Sequence, residues 1–174
     1  MDATFDGYRR PDGRVGVRNY VAVIPTSVAA AAVATAVADE AGAWARATPH
    51  QLGTSQPDAA QRQTERVLVG IGQNPNVGAA LVVELGTEDI DVEDVADRIA
   101  ADGTTVETLT IRAAGGTEAA LDEGETRLDR LNEEIKHARR EEADVGEPVF
   151  GVECGGSDAT SGIAANPGVG AACD

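Results

Sequence analysis

The sequence predicts an α/β fold of three layers, a mostly parallel sheet with helices on both faces. Short continuous apolar runs, such as YVAVI at 20–24 and AALVVEL at 79–85, alternate with helix-period segments about five times, the pattern of buried parallel strands. The connections between them are short. Hydrophobic residues make up 42% of the 174 residues but aromatics only 3%, so the core is built from Ala, Val, Leu and Ile. Such small side chains suit tight packing of helix on sheet.

The elements follow in order. Residues 7–19 (GYRRPDGRVGVRN) are turn chemistry around Pro11-Asp12-Gly13. Tyr20 to Ile24 is the first strand. Pro25-Thr26-Ser27 breaks it and offers an N-cap to an alanine-rich helix reaching Ala41, with Gly42 behind it. Trp44 to Thr48 is a weaker strand. Pro57-Asp58 opens a helix that runs into Gly70 and Gly72. Ala79 to Leu85 is the clearest strand, and an amphipathic helix follows from Asp89 to Gly103, with Val92, Val95 and Ile99 on one face. Thr105 to Ile111 alternates like a more exposed edge strand. A long helix is expected from Thr117 to Ala143, and a last strand from Val149 to Glu153. Residues 154–174 are rich in Gly, Ser, Asn, Pro and Ala, with little periodicity. Residues 1–152 therefore read as one α/β domain, and 153–174 as the start of a glycine-rich region.

Thirty acids face fourteen Lys and Arg, for a net charge of −16, and Lys136 is the one lysine. This acid-rich, lysine-poor composition points to a salt-adapted cytoplasm, where screening leaves carboxylates hydrated without much repulsion. It argues against nucleic acid or anionic lipid as partners. No apolar run is long enough for a membrane span and no signal peptide is visible. The two cysteines, Cys154 and Cys173, form no disulfide framework and no CxxC pair.

Ligands of such sheets bind beyond the carboxyl ends of the strands. The turn after the first strand lacks GxGxxG, and the glycines at 70–78 follow a helix and precede a strand, the wrong order for a phosphate cradle. The architecture is Rossmann-like without the dinucleotide fingerprint. His50, between a strand end and a helix start, is either a satisfied structural residue or a base or metal ligand. Glu88 is a ligand or, more simply, an acid at a helix start. Gly115, Gly116 and Thr117 open a long helix, either as an anion site or as a plain cap. Arg9, Arg10, Arg14 and Arg18 are four of the fourteen basic residues; they neutralise nearby acids or, as Arg14 and Arg18, hold a substrate carboxylate. Residues 153–170 place Cys154, Ser157, Asp158, Thr160, Ser161 and Asn166 among glycines that permit close backbone approach to a ligand. The polar loops at 14–18, 50–56, 115–117 and 154–166 are expected to converge at one edge of the sheet.

The segments CGGSDATSGIAANPGVG, GYRRPDGRVGVRNYVAVIPT and NPNVGAALVVELG, in their order along the chain, resemble the altronate and galactarate dehydratase family of sugar-acid dehydratases, a group that includes a sulfolactate-cleaving lyase subunit. The resemblance implies a hydro-lyase that turns an aldonic or aldaric acid into a 2-keto-3-deoxy acid with a divalent metal, Fe²⁺ or Mn²⁺. His50, Asp158 and Cys154 would be its catalytic residues, with His50 and Asp158 as metal ligands. Arg14, Arg18, Gly115, Gly116, Thr117, Ser157, Thr160, Ser161 and Asn166 would bind the substrate. A small sugar acid, a second copy of the chain, and the remaining C-terminal region or a partner subunit are the expected partners. Family cysteines often follow the first three main strands, as GC, HxxGC and GCE; Ala29, Thr54 and Thr87 stand there in this chain, and hydroxyls bind a soft metal poorly. Members continue past ANPGVG, so a fragment of a longer enzyme or a reduced paralogue is expected, with a non-catalytic binding or assembly subunit as the alternative reading.

Overall fold

A computed structural model describes residues 3–153, 155–156 and 158–173. Its core is a four-stranded, wholly parallel sheet in the order β4-β3-β5-β6, from β3 (Tyr20–Pro25), β4 (Ala45–Ala47), β5 (Val77–Glu84) and β6 (Thr105–Thr110). Side chains of a strand alternate between faces, and each run here feeds two cores. Val21, Val23, Ala79, Leu81 and Val83 pack under α1 (Val28–Ala41) and α5 (Thr117–Ile135). Ala22, Ile24, Ala80 and Val82 pack under α2 (Asp58–Gly72) and α3 (Val92–Ala100). The three layers expected from the sequence are present. Each fully buried side chain such as Ile24 or Leu81 contributes about 2 kcal/mol relative to exposure.

The connections decide where a ligand can sit. After β3 the chain turns to α1 on one face, and after β5 it turns to α3 on the other. Between the carboxyl ends of these neighbouring strands lies the topological switch point, the crevice that open α/β sheets use for ligands.

Four expectations need correction. The first segment is more than a turn: β1 (Thr4–Arg9) and β2 (Val15–Gly16) form a hairpin, and β1 also pairs with β7 (Glu141–Asp144) in a separate antiparallel sheet. The long helix ends at Ile135 rather than Ala143. Its last carbonyl accepts from Asn19 Nδ2 at 2.9 Å and from the Ala138 N–H at 3.0 Å, which closes the helix. Beyond it, Arg140 stacks over the Tyr8 ring at 4.8 Å and donates to the Asp6 carbonyl, drawing residues 141–144 onto β1. Residues 149–153 form no strand; Arg9 forks onto both Glu147 carboxylate oxygens and the chain leaves the sheet there. Residues 161–173 are helical, a π turn at Ser161–Ala165 followed by α6 (Asn166–Cys173). A short helix, α4 (Ile111–Ala114), also separates β6 from Gly115. Among the described residues no helix is long and apolar enough to cross a membrane.

Candidate functional site

Three turns meet at the switch point. The first, Pro25-Thr26-Ser27, ends β3; Thr26 and Ser27 are fully buried, and Ser27 caps α1 by accepting from the Ala29 N–H. The second is 85–88, after β5. Glu88 turns back instead of entering a helix, because α3 starts later, capped by Asp91. Its Oε1 accepts from the Leu85 N–H at 2.7 Å, the Ser27 hydroxyl at 2.8 Å and the Thr26 hydroxyl at 3.3 Å. Its Oε2 accepts from the Gly86 and Thr87 N–H groups at 2.8 and 2.9 Å. Partial burial alone would raise the pKa of this carboxyl, but the N–H groups of Leu85, Thr87 and Gly86 and the Ser27 hydroxyl outweigh it and hold the group at about 2. Glu88 is an ionised tie between the ends of β3 and β5.

The third turn is 50–56, over β3. His50 Nδ1 accepts from the Leu52 N–H at 3.2 Å, which leaves the proton on Nε2, 2.8 Å from the Pro25 carbonyl. Both ring nitrogens are thus engaged by backbone. The Leu52 carbonyl accepts from the first N–H of α1, at Val28. Beside this loop a groove of about 250 Å³ is lined by Pro49, His50, Leu52, Val67, Leu68 and Ile71 among others. A His50→Ala variant is expected to lose about 1 kcal/mol of stability and roughly 2–4 °C in melting temperature. A thermal melt indistinguishable from the unmodified chain would show that the ring does not hold the loop.

The remaining candidates lie outside these three turns. Gly115 and Gly116, at φ 106° and 114°, form the left-handed turn between α4 and α5, with Thr117 exposed behind it. Arg14 and Arg18 sit at the amino edge: Asn76, just before β5, accepts from the Val17 and Arg18 N–H groups. Arg14 pairs with Asp12 and with Asp102, 2.9 Å away. The eight residues of β5 span about 26 Å at ~3.3 Å each, so one six-carbon acid cannot touch both edges. The expected convergence at one edge is therefore corrected for the 14–18 loop, which precedes a parallel strand and lies at its amino end; 50–56 and 115–117 follow β4 and β6 and lie at the carboxyl edge. Asp158 Oδ1 accepts from the Thr160 hydroxyl and from the N–H groups of Thr160 and Ser161. The first of these bonds leads in holding its pKa below the usual carboxylate range. Asp158 thus shapes the turn before Asn166. Cys154 and Ser157 lie outside the described residues.

A divalent cation needs several hard donors converging in open coordination. Among the described residues no group of three or more His, Cys, Asp or Glu could hold one, and His50 and Glu88 spend their polar atoms on internal bonds. The described residues do not fit a metal centre.

Comparison with known proteins places this geometry in a family. The model of the D-galactarate dehydratase/altronate hydrolase second domain matches residues 7–136. The chain belongs to that family. The model of the D-galactarate/altronate dehydratase C-terminal region matches residues 145–174 of this dehydratase-family chain. The chain is 39% identical over 174 residues to the (2R)-sulfolactate sulfo-lyase subunit beta of Chromohalobacter salexigens, covering 98% of this chain and 43% of that protein. It is 29% identical to the altronate dehydratase of Bacillus subtilis, covering 94% and 34%. Its identity to the galactarate dehydratase (L-threo-forming) of Escherichia coli is 27%, covering 98% and 36%. This family member thus spans between a third and a half of the length of these relatives.

Glu88 is the functional candidate that sequence reasoning undervalued. Its one local signal is the polar Gly-Thr-Glu run directly after the most apolar strand. Its hydroxyl partners lie more than sixty positions away.

Proposed function

We propose that this chain supplies the α/β domain and the start of the C-terminal region of a dehydratase. The enzyme converts an aldonic or aldaric acid, such as altronate or galactarate, to a 2-keto-3-deoxy acid, together with the remaining C-terminal region or a partner subunit. The carrying observation is the run of two family models, in order, across 7–136 and 145–174. The elimination removes the proton next to the carboxylate, protonates the departing hydroxide, and needs donors for the enediolate charge. The N–H groups and hydroxyls that Glu88 occupies at the switch point are donors of that kind. The exposed Val149, Phe150 and Val152, close together along the chain, support a covering region or subunit, since clustered uncovered apolar side chains mark an interaction surface.

Incubating the chain together with the family's C-terminal region, with and without Fe²⁺ or Mn²⁺, against a sugar-acid panel should release a 2-oxo acid that semicarbazide traps. No such product from any acid would sink the dehydratase reading. The 39% identity to a sulfo-lyase subunit favours including sulfolactate in the panel, with sulfite release as the readout of a carbon–sulfur lyase. The engagement of His50 and Glu88 by internal bonds favours a third reading, a binding or assembly subunit, which predicts binding of the acid without turnover.

A further inference from the structure

At the switch point, five hydrogen-bond donors from two turns converge on one carboxylate. Three are successive backbone N–H groups, of Leu85, Gly86 and Thr87, an arrangement that forms an anion-binding nest. The other two are the hydroxyls of Ser27 and Thr26, side chains with no exposed surface; the Thr26 proton is shared with the Val83 carbonyl, 3.4 Å away, so Ser27 is the hydroxyl that depends on the carboxylate. Such groups are costly to leave unmet, and Glu88 meets them from the rim, where it is itself half-buried and lines a groove together with the carboxylates of Glu84, Asp89, Asp91 and Glu93. Ser27 also caps α1, whose positive dipole end adds to the field.

We propose that this nest is a carboxylate-binding subsite, filled by Glu88 when no ligand is present, which receives the carboxylate of a small organic acid when Glu88 swings outward. The choice of an organic acid rests on the lyase reading above; the nest itself does not. Exchanging one carboxylate for another leaves the charge inside the nest unchanged. The nearby Glu84 is held by the Thr110 hydroxyl at 2.7 Å. Repulsion from the displaced Glu88 and from Asp89, Asp91 and Glu93 along the groove is reduced by salt. The latch sets a threshold: a ligand must outcompete a tethered carboxylate, so affinity for a bare acid is weak in the intact chain and rises once Glu88 is removed.

The test titrates acetate into the ¹⁵N-labelled chain and its Glu88→Ala variant, following the amide signals of Leu85, Gly86 and Thr87, with chloride at equal ionic strength as control. The expected result is that these signals move in the variant at an acetate concentration at least tenfold lower than in the unmodified chain, and that chloride does not reproduce the shift. If Glu88→Ala does not fold, Glu88→Gln, which retains the side-chain length but only one acceptor oxygen, takes its place and should respond at an intermediate concentration. A folded variant whose amides at 85–87 ignore acetate, or whose midpoint equals that of the unmodified chain, overturns the proposal. Acetate binding here without turnover of any sugar acid would leave the nest standing and remove the dehydratase reading; turnover with silent amides would do the reverse.

Discussion

Replacing Gly53 with alanine is expected to cost roughly 3 kcal/mol of stability, from backbone strain of about 1–3 kcal/mol plus a steric clash. Gly53 has φ +94°, a region that favours glycine. A methyl group there would overlap the Thr26 carbonyl oxygen and stand 2.7 Å from Ser27 Cα. Neither neighbour can yield, because Thr26 donates its N–H to the Val83 carbonyl and the Leu52 carbonyl holds the first N–H of α1. The loop must lift, carrying His50 away from the Pro25 carbonyl. Urea denaturation of the two chains reads the difference directly. A loss under 1 kcal/mol would mean that the 50–56 loop does not pack on the Thr26-Ser27 turn. In the dehydratase proposed above, the same change should depress turnover, since the loop walls the switch point.

The central sheet is legible in the sequence because β3 and β5 are buried on both faces, so their composition alone marks them. The same holds for α1, whose Ser27 cap and trailing Gly42 bracket the helix. Nothing local marks β7. Glu141-Glu142-Ala143-Asp144 is acidic and becomes a strand only because β1, some 135 positions earlier, offers an edge and Arg140 anchors the approach. Glu88 is misread for a related reason: its spacing from Asp89-Ile90-Asp91 suggests a helix start, whereas its hydroxyl partners are at 26 and 27. The place of loop 14–18 is contained in strand direction, since it precedes β3, but its arginines and glycines suggest a ligand site wherever they lie.

Glu88→Gln should lower stability by about 1–2 kcal/mol near neutral pH, allowing for solvent screening of a half-buried carboxylate, and the deficit should fade in acid. In the folded chain the carboxyl is held at about 2, below an ordinary value of 4.5. A depressed carboxyl contributes fully above the unfolded value and loses its contribution as pH falls from 4.5 toward 2, where the folded chain also takes up the proton. Glutamine keeps the shape but lacks the charge at every pH. Urea unfolding of both chains at fixed ionic strength between pH 7 and pH 2.5 should show a steady gap above pH 5.5 that narrows below 4.5. Other carboxylates titrate in the same window, but they are common to both chains and cancel in the difference. A gap that stays constant across this range would mean that the donors at 26, 27 and 85–87 do not hold a charged carboxylate, and the nest would lose its physical basis together with the tie between β3 and β5.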